Sequence, residues 1–217
     1  MSKDEVLQEL ANRIISFDLE HVGGSVQKAL EAGIAASEVI EKGIGKGMLE
    51  VGEKYEGGEY FLSELMAAAT VTKAAIEVLE PVLKRPEEKR KMLGTVVIGT
   101  VKGDLHDIGK NIVAALLTGA GFTVHDLGVD VTEHKFIDEA RRTSANIVAM
   151  SALLTTTLPA MEDVIKALVN FGLRGRVKVL IGGTNVTGEF SKQIGADAYA
   201  NDAITGVRLA KQMATSG

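Results

Sequence analysis

One stretch of this chain combines residue types that could do chemistry at a useful spacing: Lys102-Gly103-Asp104-Leu105-His106-Asp107-Ile108-Gly109-Lys110. A loop histidine such as His106 can present one ring nitrogen to a metal. A carboxylate two residues earlier, Asp104, can accept a hydrogen bond from the other nitrogen, which fixes the tautomer and raises ligand basicity. Gly109 would let a bulky planar ligand approach the start of the following helix. Three further stretches bring hydroxyls, paired glycines and a carboxylate: Ser151-Ala152-Leu153-Leu154-Thr155-Thr156-Thr157, Gly182-Gly183-Thr184-Asn185 and Ala200-Asn201-Asp202-Ala203. The other histidines, His21, His125 and His134, have no such company and are expected to be surface or structural residues.

The elements that must position these stretches are legible in the second half of the chain. Short apolar runs at 93–99, 122–127, 147–151, 177–181 and 198–199 alternate with helical periodicity at 108–118, 132–143, 158–171, 187–194 and 202–213. Five strands alternating with five helices imply a parallel sheet covered on both faces. Right-handed crossovers favour a flavodoxin-like, doubly wound sheet of order 2-1-3-4-5. The loops after strands one, three, four and five then meet at the carboxyl edge, and these are the four stretches above.

The first half reads as helix. Val6, Leu7, Leu10, Ile14 and Ile15 share one face. A second helix at 20–32 stops at Gly33. A third, capped by Ser37, runs to about Tyr55, and a fourth spans 62–83. Gly43, Gly45, Gly47 and Gly52 in the third helix cost up to about 1 kcal/mol each against Ala, which close helix–helix packing would offset. The expectation is an N-terminal four-helix bundle over 1–88, a polar linker at 84–91 and a Rossmann-like domain over 89–217.

Composition narrows the chemistry. The 217 residues are 46% hydrophobic and 24% charged, with a formal net charge of −5, 4% aromatics and no cysteine. Disulfides, Cys-ligated zinc and iron–sulfur clusters are excluded. The acidic balance and sparse aromatics argue against nucleic-acid binding. No apolar run approaches the roughly 18 residues that span a bilayer, and residues 1–10 lack the apolar core of a signal peptide, so a cytoplasmic protein with no membrane partner is expected. Gly103 and Gly109 enclose five residues rather than the four of a phosphate loop. A dinucleotide Gly-x-Gly-x-x-Gly, a receiver aspartate ending the third strand and a Gly-x-Ser-x-Gly elbow are all absent.

The run from Gly103 to Gly109, Ser151-x-Leu153 and Gly182-Gly183 together resemble the corrinoid-binding motif of cobalamin-dependent methyltransferases. Tyr55-Glu56-Gly57-Gly58 and Phe61-Leu62 resemble the capping bundle that precedes that domain. The likeness runs from about residue 5 to 213, and the layout is similar to the small corrinoid proteins of methyl-transfer systems. The resemblance implies cobalamin or a related corrinoid bound base-off, with His106 as the axial cobalt ligand and Asp104 and Thr157 as its relay. Gly103, Leu105, Asp107, Ile108 and Gly109 would complete the cofactor loop. Ser151, Leu153 and Thr155 would contact the displaced nucleotide tail, Gly182 and Gly183 would let it pass, and Ala203 would line its far end. Tyr55 and Leu62 would lie over the upper face.

The resemblance also implies a role. Such a protein carries a methyl group, cycling between cobalt(I) and methyl-cobalt(III). A donor-specific methyltransferase takes the methyl group from a methylamine, methanol, a betaine or an aryl methyl ether. An acceptor methyltransferase passes it to tetrahydrofolate or a thiol coenzyme, and a reductive reactivase is a further partner. Two alternatives exist. His106-Asp107 also resembles the His-Asp motif of metal-dependent phosphohydrolases, which requires further His and Asp ligands on an all-helical scaffold. A cobalamin-dependent sensor usually carries a DNA-binding segment, whereas this chain has no basic recognition helix.

Overall fold

The computed structural model describes residues 2–83 and 92–215, so the linker expected at 84–91 lies outside the described residues. The chain divides into two units, Met1–Met92 with Ala115–Phe122, and Leu93–Ala114 with Thr123–Gly217.

In the helical unit, α1 (Lys3–Ile15) starts at a capping box in which the Ser2 hydroxyl accepts from the Glu5 N–H and the Glu5 carboxylate accepts from the Ser2 N–H. Its buried face is Val6, Leu7, Leu10, Ala11 and Ile14, the expected stripe except that Ala11 joins it and Ile15 is only half-buried. α2 (Val22–Glu31) ends where Gly33 turns left-handed at φ +70°, as its sequence position implies. The third helical stretch departs from expectation. It begins as α3 (Ala36–Glu38), winds as a π-helix over Val39–Ile44 and continues as α4 (Gly45–Glu56). Its N-cap is Ala35, without a side-chain hydrogen bond, and Ser37 lies inside the first turn. Burial of Ile34, Ala36 and Val39 draws the chain into helical geometry before a polar cap can act.

Gly43 and Gly47 of this stretch do serve close packing. A Cβ on Gly43 would stand 2.8 Å from Leu10 Cδ2, and one on Gly47 2.8 Å from the Ala11 carbonyl oxygen. α5 (Leu62–Leu83) completes the set, with Pro81 in its last turn.

The second unit holds β1 (Thr95–Thr100), α6 (Ile108–Gly119), β2 (Thr123–Asp126), α7 (Glu133–Thr143), β3 (Ile147–Ser151), α8 (Leu158–Asn170), β4 (Lys178–Gly182), α9 (Gly188–Ile194), β5 (Ala198–Ala200) and α10 (Ala203–Thr215). Part of α6, from Ala115, groups with the first unit. The five strands are parallel in the order β2-β1-β3-β4-β5, the expected topology. β1 starts later than its apolar run because the Thr95 N–H donates to Asn146 Oδ1 and Leu93 stays exposed. Val97, Val148, Val179, Phe136, Met161 and Leu168 pack one face of the sheet.

Register decides where the four loops begin. Thr100 pairs with Ser151, Ser151 with Gly182 and Gly182 with Ala200, so one row crosses β1, β3, β4 and β5 at the carboxyl edge. Each candidate stretch leaves the sheet at or just beyond this row.

Candidate functional site

Asp104 organises the edge. It is fully buried and carries hydrogen bonds on both carboxylate oxygens. Oδ1 accepts from the His106 backbone N–H (3.0 Å) and pairs with His106 Nδ1 (2.7 Å). Oδ2 accepts from the N–H groups of Leu153 (2.7 Å) and Leu154 (3.1 Å) and lies 2.9 Å from Thr157 Oγ1. Burial alone would push the Asp104 pKa up. The amide hydrogen bonds from His106, Leu153 and Leu154 and the bond from the His106 ring outweigh it and hold the group well below the usual carboxylate range. An ionised carboxylate can only accept, so His106 Nδ1 carries a proton, and in the neutral imidazole the lone pair is the one on Nε2.

The loop is braced from three sides. Gly103 adopts φ +83°, a conformation suited to glycine, and its N–H donates to Asp130 Oδ1 (2.7 Å). Thr100 Oγ1 donates to the His106 carbonyl (2.9 Å). The Asp130 N–H donates to the Asp104 carbonyl (3.0 Å). With its backbone held, the His106 side chain remains 51% exposed. Around it Leu105 is 70%, Ile108 50% and Leu154 39% exposed. A Cβ on Gly109 would meet open space.

Thr157 has one hydroxyl proton and two acceptors, Asp104 Oδ2 and the Leu154 carbonyl (2.8 Å). The bond to the carboxylate is charge-assisted and the stronger of the two. Its methyl group has room beside Gly103, 3.5 Å from where a Cβ on that residue would sit. Asp104, His106, Leu153 and Thr157 are thus in direct contact, with Gly103 immediately adjacent. Ser151 and Gly182 are neighbours by register. Thr155 is exposed in the short 3-10 turn before α8, and Ala203 opens α10. Asp107 accepts from Asn111 Nδ2 (3.1 Å).

Gly182 and Gly183 have reasons inside the protein. A Cβ on Gly182 would lie 3.1 Å from the Ala200 carbonyl oxygen, and one on Gly183, at φ +132°, would overlap that of Ala152. Tyr55, half-buried in the last turn of α4, and Leu62, exposed at the start of α5, both belong to the helical unit.

Sequence reading did not assign Thr100, Leu154, Asp126 or Asp130 to the site. Leu154 contributes a backbone N–H, which leaves no trace in residue type, while its exposed side chain had an apolar signal that could have drawn notice.

The donor set limits what metal chemistry is possible. Among the described residues there is no cluster of three or more His, Asp or Glu groups able to hold an ion. A single imidazole beside exposed apolar surface fits a metal that brings its own equatorial ligands in a large planar ring. A bare hydrolytic metal centre needs several protein ligands, and here the histidine follows a β-strand. The spare histidines each sit beside a carboxylate: His21 with Asp18, His125 with Glu139 and His134 with Glu133.

Comparison with known families agrees with the donor chemistry. Residues 94–208 match the B12 binding domain, and residues 6–80 match a second family of that description. The chain belongs to the B12-binding family. This B12-binding chain is 45% identical over 213 residues to dimethylamine corrinoid protein 1 of Methanosarcina acetivorans, covering 98% of this chain and 99% of the relative. It is 42% identical over 212 residues to trimethylamine corrinoid protein 1 of Methanosarcina mazei, covering 96% and 98%. Among solved structures it is similar to the methanol:cobalamin methyltransferase complex MtaBC of Methanosarcina barkeri. There the TM-score is 0.83 at 31% identity, with 100% of this chain and 82% of that chain covered. The cofactor of this B12-binding chain is cobalamin or a related corrinoid. Among the described residues, no helix is long and apolar enough to cross a membrane.

Proposed function

We propose that this chain is the methyl-carrying corrinoid protein of a methyltransferase system whose donor is a methylated amine. The observation that carries the reading is the pairing of a half-exposed His106 with a fully buried, ionised Asp104. The cofactor's cobalt supplies the chemistry, taking up a methyl group and giving it to an acceptor. The chain's own residues do the rest. His106 Nε2 would hold the cobalt in place of the cofactor's own base. Asp104 keeps the imidazole in the tautomer that ligates, and the Thr157 hydroxyl stabilises the carboxylate charge. Leu105, Ile108 and Leu154 receive the apolar parts of the ring. Ser151, Leu153, Thr155, Gly182, Gly183 and Ala203 line the path of the displaced tail.

The helical half, residues 1–88, acts as the cap, with Tyr55 and Leu62 shielding the upper face. The match of residues 6–80 to a B12-binding family supports this role. Partners are a donor methyltransferase, an acceptor methyltransferase delivering to a folate or a thiol coenzyme, and a reductive reactivase, in the cytoplasm. The amine donor rests on the similarity to dimethylamine and trimethylamine corrinoid proteins.

The test is reconstitution with cobalamin, followed by absorbance of the native protein and of His106→Ala. Native protein should show the histidine-ligated spectrum and the variant should not; identical spectra would refute axial ligation. Donor choice is read by methyl transfer from dimethylamine, trimethylamine and methanol, each with its cognate methyltransferase. Transfer from methanol alone would overturn the amine assignment.

A further inference from the structure

Lys110 is the third residue of α6, where a cation opposes the helix dipole. It is also buried, with its side chain 2% exposed, and taking a charge from water is costly. Neither feature helps the helix, so the residue's value lies in what it touches. Lys110 Nζ donates to Asp126 Oδ2 at the end of β2 (2.5 Å) and to Asn111 Oδ1 (2.6 Å).

From Asp126 the contacts lead back to His106. Asp126 Oδ1 accepts from the Gly128 N–H (2.9 Å). The Gly128 carbonyl accepts from the Thr100 N–H (3.0 Å), and the Thr100 hydroxyl donates to the His106 carbonyl (2.9 Å). From Asn111 a shorter route runs through Nδ2 to Asp107 Oδ2 (3.1 Å), the residue next to His106. The His106 backbone is thus held by its N–H on Asp104 and by its carbonyl on Thr100, and the second hold traces to one buried ammonium group.

We propose that Lys110 is a positioning residue for His106, acting through Asp126–Gly128–Thr100 and through Asn111–Asp107. This deepens the reading of His106 as axial ligand and rests on it. The pair of a buried Lys110 with a partly exposed Asp126 is the counterpart of the Asp104 network: one sets the imidazole's tautomer, the other braces the carbonyl side of its backbone.

The test compares native protein, Lys110→Met, Lys110→Arg and the double variant Lys110→Met/Asp126→Asn by amide hydrogen exchange without cofactor. In Lys110→Met the His106 and Thr100 amides should exchange about ten-fold faster relative to the central amides of β3 and β4. The double variant also removes the carboxylate that Lys110→Met leaves without its partner, so global stability should return towards native while those two amides stay fast. Lys110→Arg should restore most of the protection. Loaded with cobalamin, Lys110→Met should bind about ten-fold more weakly, with a smaller histidine-ligated fraction.

Exchange at His106 and Thr100 that stays native, or that rises only in step with β3 and β4, would overturn the proposal. If Lys110→Met does not fold, the double variant decides by the same criterion. Failure of axial ligation itself is read separately: the native loaded protein would then match His106→Ala, whatever the exchange pattern.

Discussion

The turn after α1 and the loop after β1 carry the same chemical pair. His21 Nδ1 lies 2.9 Å from Asp18 Oδ1, and His106 Nδ1 lies 2.7 Å from Asp104 Oδ1. Each aspartate also accepts the backbone N–H of its own histidine, and both imidazoles are largely exposed. The difference lies behind the carboxylate. Asp18 keeps contact with water and gives its second oxygen to Arg13 (2.6 Å). Asp104 has none, and its second oxygen is taken by two amides and a hydroxyl.

The balance of influences on the two carboxylates differs accordingly. At Asp18 the His21 hydrogen bond is the main influence and lowers the pKa. At Asp104 the main influence is burial, which raises it, and the hydrogen bonds must overcome that. The His21 pair is a surface contact of the kind that contributes little. The His106 pair is a rigid mount. A histidine beside an aspartate is therefore common; what sets His106 apart is an aspartate anchored by the fold, and this supports its proposed role as ligand.

Exchanging the two histidines for alanine should separate the pairs most widely. His106→Ala should abolish the histidine-ligated absorbance of bound cobalamin, whereas His21→Ala should leave it intact. The next contrast is between the aspartates. Asp104→Ala orphans buried donors and should cost about 3 kcal/mol of stability, with cobalamin affinity lower by about 10- to 100-fold. Asp18→Ala should leave the urea midpoint and the affinity near native.

Acid sharpens the same contrast. Asp104 is ionised in the fold below its unfolded value of about 3.9. Its stabilisation is therefore fully present above that value and is lost as pH falls towards the lower folded one. Urea titrations at pH 7 and pH 3 should show the stability gap between native protein and Asp104→Asn narrowing in acid. The smallest effect belongs to the hydroxyl. Thr157→Val should cost about 1 kcal/mol, and Thr157→Ser close to nothing, because the bond to Asp104 survives. Equal losses in the two variants would move the role from the hydroxyl to the methyl group.

Much of this was legible from residue order. Alternating apolar runs and helical stretches specify a parallel sheet, and crossover handedness leads to the order β2-β1-β3-β4-β5. Asp104 and His106 stand two residues apart, so their hydrogen bond is local and readable. The cap of α3 was not, because burial of Ile34 and Ala36 overrode the polar signal at Ser37. Nor were the amides of Leu153 and Leu154, since any residue type supplies an N–H.

Local patterning determined which elements form and which side chains could ligate, because those depend on neighbours within a few residues. Only tertiary structure decided that Asp104 is sealed from water, that Thr157 reaches it from 53 positions away, and that Lys110 points inward to Asp126. Burial and long-range hydrogen bonds are properties of the packed chain, and they turn a common pair of residues into a fixed one.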